Sequence, residues 1–157
     1  MIDELKNIEY VLFDLDGTVS DSSEGITKSA DKALKSEGIN VPFETLTSFI
    51  GPALRVSFGR YTDDVEKRDR MLDVYRERYS EKGWCENKIY PGMAELLRDL
   101  QKSGKHVVLA SAKPEYFCRK IIKYFGVEQY FDFIGGSDME GKRDDKTVLL
   151  TYVLDNI

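Results

Sequence analysis

The sequence predicts an α/β fold: a parallel sheet core with an all-α segment inserted after its first strand. Three observations predict it. Short runs of β-favouring residues (YVLF at 10–13, HVVLA at 106–110, YFDFIGG at 130–136) are mostly apolar rather than alternating, as in strands covered on both faces. In the second half these runs alternate with stretches of helical period. Residues 20–88, by contrast, carry helical patterning throughout. Strand, helix, strand, helix, strand then implies parallel pairing through right-handed crossovers. The expected organisation is a Rossmann-like core of residues 1–19 and 89–157, with residues 20–88 as a helical cap packed over one end of the sheet.

The elements follow in order. Asp14 stands at the tip of the first strand. In the next stretch Asp21 and Glu24 read as a capping box, Ile26, Ala30, Ala33 and Leu34 as one helical face, and Gly38 as its stop. PFETLTSFIGPALRVSFGR reads as two short helices broken at Gly51-Pro52. A longer helix is predicted over 62–82, with Val65, Leu72, Tyr75 and Tyr79 on one stripe and Gly83 at its end. Pro91-Gly92 opens a helix carrying Met93, Leu96, Leu97 and Leu100. The strand at 106–110 ends in a turn, SAKPE, and Pro114 starts a helix with Phe117, Ile121, Ile122 and Phe125 inward. After the third strand a polar loop, SDMEGKRDDK, leads into a last helix with Val148, Leu149, Tyr152 and Val153 inward.

Composition bounds the function. The chain has 157 residues, 41% of them hydrophobic, which is enough for one real core. Its net charge of −5 opposes a nucleic-acid-coating role, which needs a basic surface to displace counterions. A small anionic substrate held by a few local cations remains compatible. The start, MIDELKNIEY, has no apolar signal-peptide stretch, and no run reaches membrane-spanning length. Cys85 and Cys118 make no metal spacing. The expectation is a cytoplasmic protein with reduced thiols and no membrane partner. His106 opens an apolar run and reads as a strand residue.

Ligands of an open parallel sheet bind beyond the carboxyl ends of its strands. Three such ends are legible. The first carries Asp14 and Asp16, then Gly17 and Thr18; the second carries Ser111, then Lys113; beyond the third, Lys146 starts a helix. Two carboxylates, a hydroxyl and an ammonium therefore converge. Close carboxylates repel unless something positive lies between them. Mg²⁺ fits best, since it takes oxygen ligands and bridges carboxylate to phosphate. Ser111, Lys146 and the backbone N–H groups of the glycine turn at Gly17 and Thr18 suit phosphate oxygens. Other readings stand beside this one. The aspartates fit ordinary turn residues, Ser111 a turn cap, and Lys113 and Lys146 solvated lysines. DLDGTVSDSSEG begins like a calcium loop, but Val19 stands where that loop needs Gly, and Gly25 where it needs Glu.

DLDGT after a buried strand, LASAKPE after the second and GGSDMEGKRDDK after the third resemble the haloacid dehalogenase superfamily of phosphohydrolases. FIGPALRVSF and YPGMAELLRDL are similar to its phosphoglycolate phosphatase-like subgroup, whose members have an α-helical cap. The resemblance covers essentially the whole chain. It implies Asp14 as nucleophile and Asp16 as acid and then base. It implies Mg²⁺ held by the Asp14 carboxylate and the Asp16 carbonyl, with Ser111 and Lys146 on the phosphoryl group. The implied activity is hydrolysis of a small phosphorylated metabolite, phosphoglycolate- or nucleotide-like, by a monomer or homodimer.

Three departures qualify it. Ala112 stands where the subgroup has Asn, which weakens a substrate contact for Lys113, and GPAL replaces a double proline. Family members continue past the helix after Lys146 with a fourth strand and an acidic motif. The sequence is therefore expected to be a shortened version of a longer enzyme, with its first strand an open edge and one metal carboxylate wanting. Asp138, Asp144 and Asp145 are not expected to replace it. Alternatives are a phosphotransferase or phosphomutase of the same family, a receiver-like signalling module, or a scaffold that at most binds phosphate. A receiver has no helical insertion after its first strand.

Overall fold

The computed structural model describes residues 6–157; the first five residues of the acidic start lie outside them. The chain divides into two compact units, one of the residues up to Val19 together with Ile89–Ile157, the other Ser20–Lys88.

The first unit is built on β1 (Tyr10–Phe13), β4 (His106–Pro114) and β5 (Phe133–Ser137), in the order β1-β4-β5. All pairings are parallel, with Phe13 beside Leu109 and Ser111 beside Gly136. The helices of this unit are α4 (Met93–Lys102), α5 (Glu115–Tyr124) and α6 (Lys146–Leu154). Helix α6 lays Leu149 and Val153 on Val108 and Ala110, with Phe133, Leu150 and Tyr152 closing round them. Two glycines set how closely the layers approach. A Cβ on Gly135 would lie 2.5 Å from Val153 Cγ2, and one on Gly136 would lie 2.5 Å from Glu115 Cα. The start of α5 therefore touches the backbone of β5.

The second unit contains α1 (Ser23–Ser36), α2 (Leu54–Gly59) and α3 (Val65–Arg78). Phe49, Phe58, Met71, Leu72, Tyr75 and Tyr79 fill its core with Ile26, Ala30 and Leu34. Ring pairs Phe49–Phe58 and Phe58–Tyr75 meet edge-on, which suits their quadrupoles. Arg78 grips Glu86 with two hydrogen bonds, at 2.8 and 3.0 Å, and also donates to Ser29 Oγ. No helix among the described residues is long and apolar enough to cross a membrane.

Several details differ from the sequence expectations. Residues 20–88 are not wholly helical: Ser20–Asp21 (β2) and Lys88–Ile89 (β3) pair as a two-stranded ribbon, each satisfying the other's backbone groups. The expected capping box is absent, because Asp21 turns its carboxylate to the Ser23 N–H while Glu24 pairs with Lys28. The first of the two short helices, Phe43–Phe49, is 3₁₀. The long helix starts at Val65 behind its cap Asp64, so Val65 lies in the first turn and is 58% exposed; its last turn widens to a π-turn at Tyr79–Gly83. SAKPE is not a turn. Strand β4 runs on to Pro114 through a bulge between Ser111 and Pro114, which re-aims the side chains there. Val148, expected inward, sits in the first turn of α6 at 47% exposure.

The continuous apolar run predicts a β1 covered on both faces, yet Tyr10 is 40% and Leu12 37% exposed. Among the described residues β1 has a single neighbour in the sheet, β4. Lys105 donates from Nζ to Ile8 O at 2.7 Å, placing a charge at the strand's entry.

Two predictions follow from this packing. Gly136→Ala forces its methyl group into the α5 backbone and lowers stability by roughly 1–3 kcal/mol, the range for overpacking, read as a lower urea midpoint. The hydrogen bond and charge of Arg78 hold the Glu86 carboxyl below the usual carboxylate range. The stability this gives is complete above the ordinary carboxylate pKa and is lost as pH falls through the lowered one. Unfolding free energy should therefore fall less steeply on acidification in Glu86→Gln than in the parent, measured by urea titrations across the acid range.

Candidate active site

The site lies at the carboxyl ends of β1 and β4. Asp14 is the first residue after β1, so the strand's register carries it to the sheet rim. Its Oδ1 accepts the Leu15 N–H at 2.7 Å. Its Oδ2 accepts from Lys146 Nζ at 2.9 Å, across a sequence separation of 132 residues. Lys146 also donates to Ala110 O at 3.3 Å. It is the first residue of α6, placed there by Asp145, whose carboxylate caps the Thr147 and Val148 N–H groups. A lysine at that position opposes the helix dipole, so its pairing with Asp14 is what holds it.

Asp16 stands two residues on and faces Lys113. The Asp16 Oδ2 to Lys113 Nζ distance is 2.9 Å, and the side chains are only 7% and 6% exposed respectively. The bulge in β4 makes this possible by turning Lys113 inward. Asp16 Oδ1 is buried with no hydrogen-bond partner. Ser111 is buried at the same sheet end, and its Oγ accepts the Lys113 N–H at 3.3 Å. Gly17 holds φ at 78° in the exposed turn that follows, a conformation that favours glycine. The Thr18 N–H turns back to Leu15 O at 3.2 Å. Beneath the site the Cys118 thiol donates to Lys113 O at 3.4 Å, and burial pushes its pKa far up, leaving a neutral thiol.

The geometry thus joins Asp14 to Lys146 and Asp16 to Lys113, and sets Ser111 at the same rim. Lys113 meets a carboxylate of the site rather than facing outward. Gly17 and Thr18 lie in the turn that follows Asp16, and the Thr18 N–H is already used there by Leu15 O. Sequence reasoning passed over Asp138 as a structural element. Burial pushes its carboxyl up, but the N–H groups of Lys142, Glu140, Arg143 and Gly141 outweigh that and hold it below the usual range. An aspartate opening a glycine-containing loop was the available signal.

The donors present suit a hard divalent cation. Among the described residues no three His, Cys, Asp or Glu side chains gather into a group that could hold a metal ion by themselves. Mg²⁺ needs only one or two carboxylates, filling its remaining positions with water and phosphate oxygens. The Asp14 carboxylate, with the Asp16 backbone carbonyl, would meet that requirement, leaving the buried Asp16 Oδ1 without a metal role.

Lys113→Met leaves the Asp16 carboxylate buried without its counter-charge. It should cost roughly 3–5 kcal/mol in urea unfolding with chelator present, the penalty for breaking a buried pair. Asp16→Asn added to Lys113→Met should recover most of that loss.

Comparison with known proteins agrees with the architecture. The chain is 36% identical over 147 residues to the tyrosine-protein kinase PtkA of Mycobacterium tuberculosis, covering 93% of this chain and 50% of that protein. It is 38% identical over 148 residues to a 5'-nucleotidase of Pseudomonas aeruginosa, covering 93% of this chain and 67% of that one. A crystal structure described as a predicted phosphatase from Clostridium acetobutylicum superposes with a TM-score of 0.91 at 41% identity, covering 95% of this chain and 70% of that one. The chain therefore spans about half to two thirds of the length of these curated relatives. Residues 11–155 match the model of the haloacid dehalogenase-like hydrolase family, and with the strand-end aspartates and distant lysine already in view, the chain belongs to that family.

Proposed function

We propose that the chain carries the catalytic elements of a Mg²⁺-dependent phosphatase acting on a small phosphomonoester through an aspartyl phosphate. The observation that carries this reading is the pairing of Asp14 with Lys146 at 2.9 Å at the end of a parallel strand. A carboxylate there is at once exposed enough to attack and flanked by a cation able to hold a phosphoryl oxygen. Asp14 is 31% exposed, whereas the Asp16 side chain is 7% exposed. The first suits a nucleophile and the second a proton carrier shielded from bulk water.

In this reading an Asp14 oxygen attacks phosphorus and the ester P–O bond breaks. Asp16, the Lys113-paired carboxylate of the free protein, takes up the proton of the substrate monoanion as it binds and gives it to the departing alkoxide. Asp16, again a carboxylate with Lys113 as counter-charge, takes a proton from a water whose oxygen attacks phosphorus. The bond from phosphorus to Asp14 breaks, restoring the Asp14 carboxylate, and the released phosphate carries the Asp16 proton away. Lys146 and the Ser111 hydroxyl hold phosphoryl oxygens throughout and offset their charge. Mg²⁺ would be held by the Asp14 carboxylate and the Asp16 backbone carbonyl and would supply further positive charge to the transferring group. Substrate classes consistent with the relatives' names include nucleoside monophosphates, and the sequence resemblance adds phosphoglycolate. The expected partner is such a metabolite, with no nucleic acid or membrane, in a cytoplasmic monomer or homodimer.

A second reading, transfer of the phosphoryl group to a hydroxyl instead of water, is favoured by the kinase name of one relative. Both share the first half of the reaction. p-Nitrophenyl phosphate hydrolysis, assayed with Mg²⁺ and with chelator, tests the common step. Turnover should require Mg²⁺ and fall by at least about 10²-fold in Asp14→Asn, on the scale of losing a catalytic group, while circular dichroism stays unchanged. Turnover that survives Asp14→Asn would remove the proposal. Added alcohol separates the readings: formation of an alkyl phosphate favours transfer, free phosphate alone favours hydrolysis.

A further inference from the structure

Lys146 reaches Asp14 only if the loop before α6 delivers it, and that loop is tied to the core by one side chain in particular. Arg143 donates from Nε to Gly136 O on β5 at 3.1 Å. Its guanidinium carbon lies 4.2 Å from the centre of the Tyr152 ring on α6. Its terminal nitrogen is 4.0 Å from Glu115 Oε2 at the start of α5. Glu115 is itself held, accepting from Arg119 at 2.8 and 3.0 Å and from the Tyr152 hydroxyl at 3.3 Å. The loop's own frame is the Asp138 carboxylate, which accepts the N–H of Arg143 at 3.0 Å as well as those of Glu140 and Lys142. One planar side chain thus joins β5, α5 and α6 three residues before Lys146. Gly136 leaves no room for the joint to shift, since α5 already abuts its backbone.

We infer that Arg143 is a positioning residue for the proposed phosphoryl chemistry, acting through Lys146. This inference rests on the phosphatase reading of the same site. The side-chain contacts of Arg143 described above are with Gly136, Tyr152 and Glu115; through them it fixes where α6 begins and hence where the Lys146 ammonium stands. A planar fork that stacks on an aromatic ring and bonds a carbonyl cannot be replaced by an ammonium.

The test compares Arg143→Ala, Arg143→Lys, Lys146→Met and the Arg143→Ala/Lys146→Met double variant in p-nitrophenyl phosphate hydrolysis, at a temperature where each is folded by circular dichroism. Arg143→Ala should lower kcat/KM by roughly 10²-fold, the cost of about 1 Å of misplacement. Arg143→Lys should not rescue it. In the Lys146→Met background Arg143→Ala should cost nothing further, because residues acting as one unit are non-additive. A purely structural role gives additive losses. Additivity, full rescue by lysine, or parent-like kinetics in Arg143→Ala would each overturn the inference. A readout independent of turnover is the ¹H–¹⁵N signal of the Lys146 ammonium, assigned by its absence in Lys146→Met. It should be seen in the parent, protected by Asp14, and lost in Arg143→Ala. Its persistence unchanged would overturn the inference even in a preparation without activity, whereas absent turnover with the signal lost as expected would fault the phosphatase reading alone.

Discussion

Two carboxylates two residues apart at one strand end are the constraint on which the rest depends. Like charges so close are unfavourable unless each meets a cation. The fold supplies two, from different places. Lys146 comes from the start of the last helix to Asp14, and Lys113 comes from a bulge in the central strand to Asp16. The pairs are unequal. The one at Asp14 is partly open to solvent, so breaking it costs little. The one at Asp16 is buried, so breaking it is expensive. That inequality is the basis for giving the two aspartates different tasks.

Supporting these pairs requires close approach elsewhere. Gly135 lets α6 lie near β5 and Gly136 lets α5 begin against it. Arg143 and Asp138 then fix the loop between β5 and α6, one by reaching outward to three elements and the other by collecting the loop's own N–H groups. A side chain on either glycine would push apart the elements that carry Lys146 and Lys113. The lysines owe their aim to residues that stand outside both carboxylate pairs.

The strand and helix order was legible because the apolar runs are short and continuous while the helices are amphipathic, and local pattern records both. That Asp14 and Asp16 follow a strand and Lys146 begins a helix was legible too, because a short apolar run and a capping aspartate mark those places in the sequence. What was not legible is where tertiary partners decide. SAKPE contains a proline and looks like a turn, but pairing with Gly136 and Ser137 draws it into β4, and this turns Lys113 toward Asp16. Val65 and Val148 fit an inward stripe by spacing, but the first turn of a helix can face water whatever its period. The Asp21 and Glu24 spacing satisfies the capping-box pattern, yet Lys28 competes for the glutamate. Arg143 carries no sequence signal at all, because its partners are a carbonyl, a ring and a carboxylate from three other elements.

The bond from Lys146 to Asp14 spans 132 residues of chain. Contacts so far apart in sequence repay their loop-closure entropy late, after the intervening elements have assembled. During synthesis on a ribosome the aspartate emerges 132 residues ahead of its lysine. A nascent chain, however well its helical unit has already folded, therefore carries Asp14 without its counter-charge until Lys146 has been translated.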